Sequence, residues 1–299
     1  MRRAAAALCV LAACSKAPSA PSSPATPPPA VVAYADFSGY WSGTFAYKAC
    51  AGLHCSGRID RDDPFSLRLR QTLNHVVGVF ASQYGGSLEV AGDVQPDGSL
   101  SLAGSEATGG TSGARGSVTF AAPSLRLDPA TGLRGAMRFE RTTLLSSLDK
   151  YVSQGDGSIV SARRQSLDAF VADLGGTWKG FYLVRDCVDE TGRPLCGLFN
   201  SPGYVEYIEL TLSVGANEAA GELIPVSTRI PVAGAARARS IELTGGRDEL
   251  GGRIADRVTA LSASVDDFGR LRGGFSYLRI FDGRTSTARV DFVQVVKVP

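Results

Sequence analysis

Few residues in this chain are equipped for chemistry. Only two histidines occur, His54 and His75. Cys50, His54 and Cys55 lie too close together, without a fourth ligand, to build a tetrahedral metal site. Asp60, Asp62 and Asp63 form the densest carboxylate cluster. Such groups serve calcium or general acid–base work only if they converge in space. Arg58 and Arg61 are interleaved with them, so the stretch reads as a solvated loop. His75 follows Leu73-Asn74 and reads as a turn residue, and no serine sits in a nucleophile elbow. The glycine pairs Gly245-Gly246, Gly251-Gly252 and Gly273-Gly274 lack the lysine and helix of a phosphate loop. They suit tight turns and barrel bends. No catalytic residue, metal or cofactor is expected.

The cysteines carry more information. Cys9 and Cys14 lie near the start, and the other four form two close pairs, Cys50/Cys55 and Cys187/Cys196. Four cysteines allow three pairings. Each pair holds the same place in an internal repeat, which selects the two local bridges. Asp36-Phe37-Ser38-Gly39-Tyr40-Trp41-Ser42-Gly43 returns as Asp173-Leu174-Gly175-Gly176-Thr177-Trp178-Lys179-Gly180. In both copies a cysteine follows the tryptophan nine residues later. Ser99–Gly104 returns as Ser240–Gly245, and Leu133-Arg134-Gly135 as Leu271-Arg272-Gly273. Three matches in the same order indicate a tandem duplication, with modules over 34–145 and 172–299.

Within each module the hydrophobic period is two, the mark of half-buried strands. Phe65, Leu67 and Leu69 alternate with Ser66, Arg68 and Arg70, and Ile208, Leu210 and Leu212 repeat the pattern. Pro96-Asp97-Gly98 and Phe281-Asp282-Gly283 are turns. Val295-Val296 breaks the alternation, which predicts a bulge or burial on both sides. The class is all-β: two antiparallel meanders of about eight strands, each expected to close into a small barrel, with a sandwich as the alternative. Residues 146–171 read as a connector. Val160, Leu167, Val171 and Leu174 suggest a short helix after Ser161, although 157–163 also resembles the last strand of the second module.

The Gly-x-Trp-x-Gly openings around Trp41 and Trp178, followed by a meander, resemble lipocalin and avidin-type small barrels. In lipocalins the early tryptophan closes one barrel end. The resemblance implies that role for Trp41 and Trp178, with ligand stacking as the alternative. It covers the opening motif and the layout alone, and it implies no particular ligand.

The first residues point to location. Met1-Arg2-Arg3 and the small apolar run Ala4–Ala13 fit an export signal and are too short to span a bilayer. Leu11-Ala12-Ala13-Cys14 resembles the bacterial lipobox, which implies cleavage before Cys14 and acylation of that cysteine. Ser15 then fits outer-membrane sorting by the same resemblance. Residues 15–33, rich in Pro, Ser and Ala, read as a solvated tether. The formal charge of +2 falls to zero without Arg2 and Arg3, so nothing favours nucleic acid. The leading expectation is a lipid-anchored cell-envelope protein that binds a small apolar ligand or an envelope protein without catalysis. The rivals are an assembly lipoprotein without a small ligand, and an envelope hydrolase. Leu198, Phe199 and Tyr204, around the second cysteine loop, are the residues expected to form a binding surface.

Overall fold

The computed structural model describes residues 33–52, 62–82, 86–108, 112–113, 115–130, 132–144, 150–189, 196, 203–225 and 228–298. Strands follow wherever the period-two pattern ran. The first module contains β1 (Gly39–Ala51), β2 (Asp62–Thr72), β3 (His75–Ser82), β4 (Gly86–Val94), β5 (Leu100–Thr108), β6 (Ser112–Gly113), β7 (Arg115–Asp128), β8 (Gly132–Arg134), β9 (Ala136–Leu144) and β10 (Lys150–Gln165). Neighbours pair antiparallel along the meander, and β10 returns to pair with β1 from Tyr40↔Gln165 to Ala51↔Gln154. That pairing closes a barrel of eight main strands. The short β8 bridges β7 and β10, and β6 lies outside the barrel wall.

The second module repeats the plan with β11 (Gly176–Asp189), β12 (Tyr204–Val214), β13 (Glu218–Pro225), β14 (Ile230–Arg237), β15 (Ser240–Glu249), β16 (Ile254–Val265), β17 (Arg270–Phe281) and β18 (Arg284–Lys297). Each strand pairs with the next, and β18 closes on β11. Both modules are therefore closed barrels, and closure removes the sheet edges except beside the start of β12.

The connector reading needs correction. Residues 150–165 are not a linker: they form β10, the closing strand of the first barrel. Val160 belongs to this strand and is exposed. The helix is confined to α1 (Leu167–Ala172), capped by Ser166 Oγ, which accepts a hydrogen bond from the Ala169 N–H. Leu167, Val171 and Leu174 do bury together, as their spacing suggested.

Each barrel has its own core. Leu67, Leu69, Phe80, Leu88, Leu100 and Leu102 fill the first, and Leu210, Leu223, Leu243, Leu261, Phe275 and Val295 fill the second. Residues 34–299 nevertheless form one compact unit, because the barrels share a seam. Tyr40, outside the first barrel, stacks on Phe170 of α1 with ring centroids 3.9 Å apart. Val79 and Ala81 of β3 pack against Val296. Val295 and Val296 are thus buried on opposite faces of β18, one inside the barrel and one in the seam.

Arg68 is the centre of the seam. It is 0% exposed. Its guanidinium donates to the carbonyls of Gly269 (3.1 Å) and Lys297 (2.6 Å) and lies 4.9 Å from the Phe170 ring centre. Burial pushes its pKa down to about 10. Arg270–Glu89 (2.6 Å), Arg70–Asp168 (2.9 Å) and a hydrogen bond from Ser87 Oγ to the Gln294 carbonyl (2.9 Å) surround it. At the opposite end of the barrels, β6 adds alongside β12 through Tyr204↔Ser112 and Val205↔Gly113.

Candidate functional site

One end of each barrel is plugged in the same way. Trp41 and Trp178 are buried at 3% and 1% exposure. Trp41 Nε1–H donates to the Phe37 carbonyl (2.8 Å), and Trp178 Nε1–H to the Leu174 carbonyl (3.0 Å). The preceding aspartates repeat as well. Asp36 accepts from the Ser38 N–H and pairs with Arg164 on β10. Asp173 accepts from the Gly175 N–H and pairs with Lys297 on β18. Hydrogen bonds from those basic partners help hold both carboxyls below the usual range, against the opposing effect of burial. Each opening motif thus ties the start of its barrel to the last strand.

Beyond its plug, the first barrel is packed with aromatic rings. Phe80 stacks on Phe120 at 4.3 Å, while Phe45 and Tyr47 meet at 4.8 Å and both touch Phe139. With Phe65, which meets both Phe45 and Phe80, six large side chains fill the volume that an apolar ligand would need.

The second barrel differs at its far end, where the cysteine loop emerges. Register places Arg247 opposite Asp256, Asp256 opposite Arg279, Arg279 opposite Ser286, and Ser286 opposite Asp189. Five neighbouring strands thereby set a polar belt at one level of the wall. Asp256 is 0% exposed. It accepts a hydrogen bond from the Tyr277 hydroxyl and another from Arg247 Nε (3.2 Å), and Arg279 Nε stands 3.6 Å away. Arg247 also pairs with Glu249 at 2.7 Å. Burial and then the bond to Asp256 push the Tyr277 phenol well above its ordinary pKa. Tyr182 is raised by burial and by its neighbours Tyr204 and Glu206. Tyr204 donates to Glu206 at 2.8 Å, and burial and that bond raise its pKa in turn. The Cys187–Cys196 disulfide ties the same end.

Sequence reading missed this belt. Its signal lies in the repeat: the register-equivalent positions of the first barrel are Glu106↔Val118 and Val118↔Arg141, with Phe139 in place of Tyr277. Val118 and Phe139 are core residues where the second barrel has Asp256 and Tyr277.

The other candidate residues are scattered. His75 starts β3 and faces Asp93 at 3.2 Å on the surface. Asp62 is exposed, whereas Asp63 is buried in β2 and not in a solvated loop. Cys50 is disulfide-bonded. Cys14, His54, Cys55, Asp60, Leu198 and Phe199 lie outside the described residues. Among the described residues no three His, Cys, Asp or Glu side chains converge as a metal site, and no helix is long and apolar enough to cross a membrane. An open groove of about 740 Å³ includes Thr177, Lys179, Glu209 and Lys297 in its lining. Its lysines are already paired, with Glu209 and Asp173. No protein-family model matches the chain, and no curated protein matches it.

Proposed function

We propose that this is a lipid-anchored cell-envelope protein whose folded part is one rigid, noncatalytic binding body. It meets a ligand or an envelope partner at the loop-bearing barrel ends. The observation that carries the binding reading is the contrast between the two ends of the second barrel. One end is closed by Trp178, and the other presents inward-facing polar side chains around Asp256. The aromatic filling of the first barrel argues against carriage of an apolar molecule there. Exposed cross-strand ion pairs on the outer walls, such as Arg138–Asp156 and Arg185–Asp291, favour a body in water over a lipid-facing barrel. The anchor rests on the lipobox resemblance at Cys14.

Two measurements on the protein in its native host test the reading. Radiolabelled palmitate should enter the wild type and sediment with membranes, while Cys14→Ser should take up no label. An acylated Cys14→Ser protein, or an unlabelled wild type, removes the anchor. Protein extracted gently from the envelope should carry a stoichiometric added mass in native mass spectrometry that denaturation releases. A bare mass under both conditions removes the binding role.

A further inference from the structure

The duplication supplies an internal control for the polar belt. At the same level of the wall the first barrel closes with Val118 between Glu106 and Arg141, over Phe139. The fold can therefore be built without a buried carboxylate there. Burying an ion network in place of apolar residues often adds nothing to stability or lowers it. The second barrel nevertheless buries Asp256 completely between two arginines.

One member of the belt has hydrogen-bonding capacity left. Asp256 is engaged by Tyr277 and Arg247. Arg247 is divided between Asp256 and Glu249. Glu206 accepts from Tyr204 and from the Tyr207 N–H. Arg279 alone of these makes no side-chain hydrogen bond among the described residues. Its Nε is buried, and its approach to Asp256 is a 3.6 Å ion pair, too long for a hydrogen bond. The Arg279 side chain is 31% exposed and that of Asp256 0%, so solvent reaches the guanidinium and not the carboxylate that it faces. Ser286, its register neighbour on β18, places a hydroxyl beside it. A guanidinium that faces a buried carboxylate and keeps free N–H groups matches the planar fork that grips carboxylate and phosphate oxygens.

We infer that the mouth of the second barrel binds a small ligand bearing an oxyanion group, carboxylate or phosphate, with Arg279 meeting the anion and Asp256 positioning it. This rests on the binding reading above and gives it a site and a ligand chemistry. A cation is disfavoured because Asp256 is covered and the neighbouring carboxylates Asp189, Glu206 and Glu249 are already engaged.

The test uses the full chain in detergent, titrated with sodium phosphate and with sodium acetate against sodium chloride at equal ionic strength. Binding is read by thermal unfolding and calorimetry. Wild type should show a saturable rise in melting temperature with at least one of the two anions. Arg279→Gln should weaken that binding at least tenfold while melting normally in chloride, and Arg279→Lys should recover only part of it. The double variant Asp256→Val, Tyr277→Phe copies the first barrel; it should fold and lose the response. Flotation of Cys14→Ser with phosphatidylglycerol vesicles, abolished by Arg279→Gln, would identify a lipid headgroup as the source of the anion. A response to free anions without flotation would identify a soluble ligand. No saturable response to phosphate, acetate or vesicles, or an Arg279→Gln protein that responds like wild type, overturns the inference. That failure leaves the palmitate and native-mass tests of the broader reading untouched.

Discussion

Asp266 shows how much one carboxylate can organise. It sits just before the turn from β16 to β17 and accepts hydrogen bonds from the backbone N–H groups of Phe268 and Arg270 and from the side chains of Arg270 (2.9 Å) and Arg272 (3.2 Å). The same turn supplies the Gly269 carbonyl that receives Arg68. Burial pushes the Asp266 pKa up, but the hydrogen bonds and charge of Arg270 outweigh it, and the net pKa lies below 3.8. A carboxyl whose pKa is depressed on folding adds stability above its unfolded pKa and loses it as pH falls through the folded value. Asp266→Asn should therefore cost about 2 kcal/mol at neutral pH. The gap from wild type should shrink as pH drops below 3.8, where wild type also loses the charge. Urea melts of both proteins at pH 7 and across the acid range check this; a gap independent of pH would show that the carboxylate charge contributes nothing. At this scale the sequence was only half legible. Alternation correctly put Leu67 and Leu69 inside and Arg68 outside, but it says which face a residue takes, not what covers that face. Asp256 was hidden by a register shift between Val258 and Ala260. Alternation carried back from Leu261 and Ala263 would have turned Asp256 outward.

Strand closure depends on two glycines in the opening motifs. At Gly43 of β1 an added Cβ would stand 1.8 Å from the Ser161 carbonyl oxygen on β10, and at Gly180 of β11 it would stand 2.6 Å from the Gln294 carbonyl on β18. Both are places where the first strand of a barrel meets its last. The obstacle is backbone in each case, so a methyl group must push the closing strand away. Gly43→Ala and Gly180→Ala should each destabilise by about 1–3 kcal/mol, Gly43→Ala the more severely. Hydrogen exchange should speed up selectively in β10 for the first variant and in β18 for the second. Protection unchanged at the seams would mean that the strands absorb the methyl elsewhere. The paired effect would also explain why the Gly-x-Trp-x-Gly motif was visible in the sequence: tryptophan plugs the end while glycine admits the last strand. The closing strand β10 was harder to read. Its Gly155 and Gly157 occupy buried or half-buried positions, so size alternation vanishes where the neighbouring rings of Tyr47 and Phe45 take the space. The apolar residues left over then mimic helical spacing.

For the whole molecule, the seam decides whether duplication produced two domains or one body. Each barrel has a separate core, which alone would permit independent unfolding. Yet the first barrel carries Arg68, Val79 and Ala81 on its outer wall, all buried by the second module or by the chain leading into it. Separation would expose this apolar surface and leave the Gly269 and Lys297 carbonyls without their donor. The full chain should accordingly unfold in a single transition, with calorimetric and van't Hoff enthalpies equal. Arg68→Ala leaves both carbonyls unpaired and opens a cavity at the middle of the seam, at a cost of about 3 kcal/mol. Because that loss falls on the seam and on neither core, it should uncouple the halves. Differential scanning calorimetry of Arg68→Ala should resolve two transitions, while Trp41→Phe, which weakens one plug and spares the seam, should keep one. If Arg68→Ala still melts as one unit at a lower temperature, the remaining contacts of Tyr40 with Phe170 and of Glu89 with Arg270 are sufficient to couple the barrels. Two transitions in wild type would mean that the seam adds contact without cooperativity, and the rigid spacing between the two barrel mouths would be lost with it.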